Sequence, residues 1–249
     1  MKTYIRLDLR RMLRDPGTVI FAIIMPLGMY LLFGPLQDYS SEEVAHGNVG
    51  ALIMASMGCF GALLAVTALA AESAHEQGRG WNRQLAMTPM TPGRYIAAKT
   101  IAIQLVAIAP IALVFIAGAF TGARIDGWGW LTSPLLCWIC ILPFSMLGLA
   151  VGMAMRSDSA SNVASFIVVA AAFVGNAFSP LSGGLLKFAH WTPLYGPNLL
   201  ARWPVEGGWI ADGDKIVHDS VWWGIGGVLG WTVIFMVLAF LASRRHQDR

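Results

Sequence analysis

The chain has 249 residues, of which 56% are hydrophobic and only 12% charged, with a formal net charge of +3. An ordinary soluble domain carries about 25% charged residues, and here the apolar residues come in long uninterrupted blocks, which excludes a soluble globular protein. The positive excess is too small to read as a nucleic-acid surface; its distribution along the chain is an orientation signal instead.

Residues 2–15 come first. Ile5, Leu9, Met12 and Leu13 recur at helical spacing, while Lys2, Arg6, Arg10 and Arg14 fall elsewhere. The pattern predicts an amphipathic helix, too short to span, lying in the inner interface with its basic side toward anionic lipid. Asp15-Pro16 then reads as N-cap and first helical position of the next helix. A cleavable signal is not expected, because the apolar stretch that follows is longer than a signal's and runs to a Gly34-Pro35 turn.

Six blocks lack Asp, Glu, Lys, Arg and His altogether: residues 17–36, 49–71, 100–120, 131–155, 163–181 and 221–242. Each is close to the ~20 residues with which a helix crosses ~30 Å of hydrocarbon. The expectation is an all-α membrane protein of six transmembrane helices, forming a single transmembrane domain over residues 1–249. Pro26, Pro110, Pro143 and Pro180 should kink or end their helices. Cys59, Cys137 and Cys140 lie inside these blocks and read as small packing residues, since lipid depth offers nothing to stabilise a thiolate.

Orientation follows from Lys and Arg. Thirteen fall before span one, after spans two and four, and after span six; the opposite loops share four, Arg124, Lys187, Arg202 and Lys215. By the positive-inside rule both termini are cytoplasmic. Trp128, Trp130, Trp191, Trp203, Trp209, Trp222 and Trp223 fall in or beside the outer loops, where an aromatic belt belongs. The first two outer loops are short. The third, residues 182–220, is too apolar for a solvated loop and too broken by Pro193 and Pro197 for a span. It reads as two short helical pieces in the outer leaflet, followed after Pro204 by a Gly- and Asp-rich solvent-facing stretch.

The inner segment between spans two and three carries the functional signal. A charged exit with Glu72, His75 and Glu76 leads through Arg79 into a short helix whose Trp81 and Leu85 offer an apolar side, with Arg83, Gln84 and Met87 beside them. Thr88-Pro89 breaks it, and Thr91-Pro92 starts the next helix. Such a peg between two breakers suits either another protein's groove or the lipid surface. Glu76 stands three residues from Arg79, the spacing of a helical ion pair.

The string Gly80-x4-Leu85-x2-Thr88-Pro89, set after span two, resembles the signature loop of ABC-2-type permeases, the membrane subunits of ABC exporters such as the daunorubicin-resistance and sodium-extrusion systems. The resemblance extends over nearly the whole chain: amphipathic first helix, six spans, cytoplasmic loop, and a broken apolar stretch before span six. Trp81, where the family usually has Thr, and Gly78 depart from the pattern. The resemblance implies that residues 80–89 form a coupling helix that seats in a separate ATP-binding subunit, flanked by Glu72, Glu76, Arg79 and Arg83. It also implies a bacterial cytoplasmic membrane, a second permease chain as partner (an identical or a different one), and a path between the two chains bounded by spans two and five. Candidates for that path are Met54, Met57 and Phe60 in span two and Phe173 and Asn176 in span five, although Asn176 reads first as an interhelical hydrogen-bonding residue and the span-two residues first as packing or lipid-facing ones.

No Gly-x4-Gly-Lys-Ser/Thr phosphate loop occurs, so ATP and Mg are expected on a partner chain and no cofactor on this one. His75-Glu76 lacks the second His of a zinc-protease helix, Arg79 standing in its place. Ion-coupled carriers and voltage sensors need charge inside the spans. Its lack points to a conduit driven from outside the membrane, and the resemblance implies export of a hydrophobic or amphipathic substrate. A channel or a non-transport scaffold subunit is the alternative.

Overall fold

In the computed structural model, residues 2–76, 92–155, 159–213 and 215–247 are described. The chain is mostly helical: α1 (Lys2–Met12), a π-helical stretch (Thr18–Ile24) continuing into α2 (Met25–Phe33), α3 (Val49–Glu76), α4 (Pro92–Val106), α5 (Ile108–Phe120), α6 (Gly129–Cys140), α7 (Leu142–Ala154), α8 (Ala160–Val174), α9 (Gly184–Ala189), α10 (Tyr195–Glu206) and α11 (Val221–Gln247). Two small antiparallel hairpins complete it, β1–β2 (Glu43–Val44 with Gly47–Asn48) and β3–β4 (Trp209–Asp212 with Lys215–His218).

Among the described residues, four helical runs are long and apolar enough to cross a membrane: Val49–Ala74, Ala97–Phe120, Gly129–Ala154 and Val221–Arg244. Two shorter apolar helices, Val19–Phe33 and Ala160–Val174, fall in the first and fifth predicted blocks. The fifth differs from the expected 163–181. Its helix of 15 residues covers about 22 Å and stops where Asn176 takes a left-handed φ of 60°. Ala177 N donates to Ala172 O at 3.2 Å, the closing bond of a left-handed helix stop.

Prolines set the internal breaks. The π-helical stretch gives way to α2 just before Pro26, the run from α4 to α5 loosens at Ala107 ahead of Pro110, and α6 yields to α7 at Ile141 ahead of Pro143. Each ring removes one N–H donor and crowds the carbonyl a turn earlier. Pro180 follows a helix that has already ended.

α3 is the axis of the bundle. It packs against α2, α5, α7, α8 and α10, with its most extensive contact on α7. Small residues allow this approach: a Cβ on Gly148 would meet Thr67 O and Ala70, and one on Gly152 would meet Ala71 O and Ala74. In lipid, where no hydrophobic drive separates helix from solvent, such small-residue seams are what bring backbones together. Cys59, Cys137 and Cys140 are buried with free thiols, and Cys137 Sγ donates to Ala55 O at 3.7 Å. Gln104 Nε2 donates to Ser145 Oγ at 3.2 Å and Gln104 O accepts from Trp138 Nε1 at 3.0 Å, tying α4 to α6 and α7.

α1 turns its apolar stripe toward the bundle. Ile5, Leu9 and Met12 pack against protein, with Met12 buried, while Leu7 and Leu13 are exposed. The apolar stripe therefore serves as a docking face onto the bundle, chiefly onto α4. Arg6, Arg10 and Arg14 are exposed on the other sides, as the periodicity predicts.

Candidate functional site

Two ends of the bundle carry polar structure. At the α1 end, α3 finishes at Glu76 and α4 begins at Pro92, so these two helices are the roots of segment 77–91. Arg79, Gly80, Trp81, Arg83, Gln84, Leu85, Met87, Thr88 and Pro89, which the sequence singled out, lie outside the described residues. Glu72 is described: its Oε1 accepts from Arg11 Nη2 at 3.5 Å, on an exposed surface. Glu76 is the last residue of α3.

Around these roots the structure assembles a set of charges. Lys99 Nζ lies 3.1 Å from Asp8 Oδ1, both side chains only 6% exposed. Tyr4 and Tyr95 meet edge to face at 5.7 Å. A cavity of about 440 Å³ opens beside them, lined by Asp8, Arg11, Arg14, Asp15, Glu72 and Lys99 together with Met12, Pro16, Leu69 and Ser73. Sequence reading passed over Asp8. The available signal was its place on the apolar stripe, three residues from Ile5 and four from Met12, where an acid needs a partner.

At the opposite, hairpin end the three connecting segments interlock. Asn48 is the pivot: its Oδ1 accepts from Ala51 N at 3.0 Å, capping α3, and from Arg124 N at 2.9 Å, while its Nδ2 donates to Gly122 O at 2.9 Å. His46 N donates to Val205 O at 2.9 Å and Asp126 N to His46 O at 2.9 Å. The broken segment forms two helical pieces, α9 and α10, as predicted, and then the β3–β4 hairpin, which was not. Its signal was Asp212-Gly213 between alternating apolar residues, with Gly213 at a φ of 63°.

α10 is held in place by polar contacts. Arg202 Nη2 lies 2.7 Å from Glu206 Oε2. Asn198 Nδ2 donates to Asn176 O at 2.8 Å. Burial pushes the Glu206 carboxyl above its usual range, against the pull of the neighbouring Arg202 guanidinium. His190 Nδ1 faces Leu186 O at 2.7 Å and its Nε2 faces Asp219 Oδ2 at 2.8 Å, so each ring nitrogen meets an oxygen acceptor. Tyr195 donates its hydroxyl to the same Asp219 oxygen. Burial and the nearby Asp219 raise the Tyr195 phenol well above its ordinary value, which keeps it protonated and donating.

Of the five path candidates, Met54, Met57 and Phe60 on α3 are buried inside the bundle, whereas Phe173 is 64% exposed on α8. Phe178 joins two of them, its ring 4.8 Å from Phe60 and 4.9 Å from Phe173. Asn176 is buried beside them; its Oδ1 accepts from Leu181 N at 2.8 Å and its carbonyl receives α10. Among the described residues no group of three or more His, Cys, Asp or Glu is placed to hold a metal ion.

The long apolar helices with polar structure at their two ends are those of a multi-pass membrane protein, and comparison with known proteins supplies the family. The family model described as ABC-2 type transporter matches residues 1–197. The chain is similar to "Putative transport permease YvfS" of Bacillus subtilis (strain 168), with 21% identity over 248 residues, 96% of this chain and 95% of that one. Members of the family work with an ABC ATPase partner and are not themselves the ATP-binding subunit. The chain belongs to the ABC-2 type transporter family, as a multi-pass membrane component of an ABC transporter.

Proposed function

We propose that the chain is the permease subunit of an ATP-driven exporter in a bacterial cytoplasmic membrane, moving a hydrophobic or amphipathic substrate outward. The observation that carries this reading is the combination of a family match from residue 1 to 197 with a sequence that holds no phosphate loop. The two shorter apolar helices count as crossings alongside the four long ones, giving six spans in one transmembrane unit over residues 1–249. A helix of about 22 Å crosses by local thinning of the bilayer or by packing among longer neighbours. Thirteen of the seventeen Lys and Arg then fall on the α1 end, which is the cytoplasmic one.

Segment 80–89 is the coupling helix. It sits between the roots that α3 and α4 form, on the side where ATP is available. Two copies of the chain, or this chain with a second permease, pair with two ATPase subunits that carry the ATP and Mg. Closure of the ATPases tilts the coupling helices and opens a path between the permeases, with α3 and α8 as its walls. Phe173 is exposed on α8, which suits such a wall; Met54, Met57 and Phe60 reach it only if α3 turns or the bundle parts.

The test is affinity recovery of the ATPase encoded beside this chain, together with ATP-dependent export in cells. Both are expected with the intact chain, and both should be lost when residues 80–89 are replaced by a Gly-Ser segment. Survival of both after the replacement removes the coupling assignment.

A further inference from the structure

The hairpin end holds a cluster of ionisable groups that three helices share. His190 closes α9, Tyr195 opens α10, and Asp219 stands between β4 and the start of α11. Both ring nitrogens of His190 meet oxygen, Nδ1 facing Leu186 O at 2.7 Å and Nε2 facing Asp219 Oδ2 at 2.8 Å. A backbone carbonyl only accepts, and a neutral imidazole offers one N–H and one lone pair. A neutral ring beside an ionised Asp219 therefore sets a lone pair against an acceptor in either tautomer. The arrangement closes when the cluster holds one proton more, on the line between Nε2 and Oδ2. The ring is kept on that line by its neighbours, with the Tyr195 ring at 4.5 Å and the Trp223 ring of α11 at 5.0 Å. The His190 and Asp219 side chains are each 13% exposed, which leaves the site mostly covered but open to proton exchange.

Among the described residues no other cation answers Asp219. On α10, Arg202 is engaged by Glu206 at 2.7 Å; Lys187 of α9 and Lys215 of β4 are exposed. On the hairpin, Asp212 accepts from Gly183 N, and His218 lies against the Trp203 and Trp209 rings. α8, which also touches α9, has no titratable side chain over Ala160–Val174. We propose that His190 and Asp219 form a proton-binding site, in which one proton held between them fastens the elbow between α9 and α10 to the start of α11. Asp219 is itself anchored, its N donating to Gly208 O at 2.8 Å and its Oδ2 accepting from the Tyr195 hydroxyl. The proton thus completes a joint among α9, α10, the β3–β4 hairpin and α11. The hydrogen bond from Trp231 Nε1 to Trp191 O, at 3.2 Å, stays when the proton leaves, so the elbow loosens without undocking. The fastened state binds a proton that the loosened state releases; it is favoured as pH falls and weakens as pH rises. With the hairpin end outward the proton comes from the external medium, a direction that rests on the orientation given above.

The test is hydrogen–deuterium exchange of the full-length chain in lipid nanodiscs at about pH 5.5 and about pH 8, which bracket the range where an ordinary histidine changes charge. Labelling times are scaled to the intrinsic rate at each pH, with the amides of α3 as reference. Wild-type residues 184–195 should be about tenfold or more better protected at the lower pH. His190→Gln and Asp219→Asn should each hold this segment at its less protected level at both values. His218→Gln leaves the site intact and should keep the wild-type difference. Equal wild-type protection at the two values overturns the proposal, as does a difference that survives in His190→Gln. Should the site variants fail to fold, loss of the difference in His218→Gln overturns it too, because the titrating group is then His218. Both faces of a nanodisc share one pH, so these results do not depend on which end is outward. The external source of the proton is checked separately with Ile216→Cys at an exposed position. An impermeant thiol reagent should label it from outside intact cells, and labelling only from inside overturns that direction.

Discussion

α3 and α11 have nearly the same apolar character, with mean hydropathies of 2.1 and 2.3 in their most apolar windows, yet 83% of that window is buried in α3 and 11% in α11. Hydropathy decides that both belong in lipid. Side-chain size decides where. α3 sets Thr67, Ala70, Ala71 and Ala74 against Gly148 and Gly152 of α7, so that neighbour approaches its backbone closely, and it buries its larger Met54, Phe60, Leu63 and Leu69 among the other helices. α11 leans chiefly on two neighbours: α10 in its first half, where Gly224 and Gly227 face Gly196, and α7, its most extensive contact. One ring farther along, Phe235, reaches Phe144 of α7 at 5.5 Å. Its remaining large residues, Leu229, Val233, Met236, Leu238, Phe240 and Leu241, are turned outward. A transmembrane helix without a hydrophobic drive toward its neighbours packs by fit and by polar contacts.

The contrast breaks first at the α3–α7 seam. Gly148→Leu should abolish recovery of folded protein in detergent chromatography, because the new side chain meets the Thr67 carbonyl and Ala70, a cost above the about 1–3 kcal/mol of ordinary overpacking. A monodisperse, stable Gly148→Leu protein would show that α7 is not seated on α3. Next comes α10, wedged between α3 and α11. Arg202→Met strands a buried Glu206 and should lower thermal stability by about 3–5 kcal/mol, while adding Glu206→Leu should restore most of it. No recovery in the double variant would mean that Arg202 is held chiefly by a partner other than Glu206.

Asn48→Ala removes the cap of α3 and the ties to Gly122 and Arg124; an effect of about 2 kcal/mol is expected in the same melting assay. Leu238→Ala, on the outward side of α11, should change stability by no more than about 0.5 kcal/mol. A large effect there would reveal a partner chain on this face in place of lipid.

Most of the bundle was legible because period and charge-free length are local properties of the chain. Pro26, Pro110 and Pro143 gave the internal breaks correctly, since a missing N–H acts wherever its helix is placed. The central position of α3 was not read. It depends on which small residues meet which neighbours, and that is a property of pairs. Asn176 hid its main role for a related reason: an asparagine ending a helix in the left-handed region looks, in sequence, the same as one lining a path. The Asp8–Lys99 pair joins residues 91 positions apart, beyond any local signal, although an acid on an apolar stripe was a clue. Among the site residues, Phe60 of α3 and Phe173 of α8 meet through Phe178, a contact between distant positions that no local pattern carries.

The central claim is that ATP-driven motion enters through residues 80–89 on the α1 end. The most direct measurement places a photo-crosslinking residue at Leu85 and, as control, at Leu185 on the hairpin end, in cells that express the neighbouring ATPase. A crosslink from Leu85 to the ATPase, with none from Leu185, is the predicted result. A crosslink from Leu185, or none from Leu85 while ATP-dependent export proceeds, would contradict it.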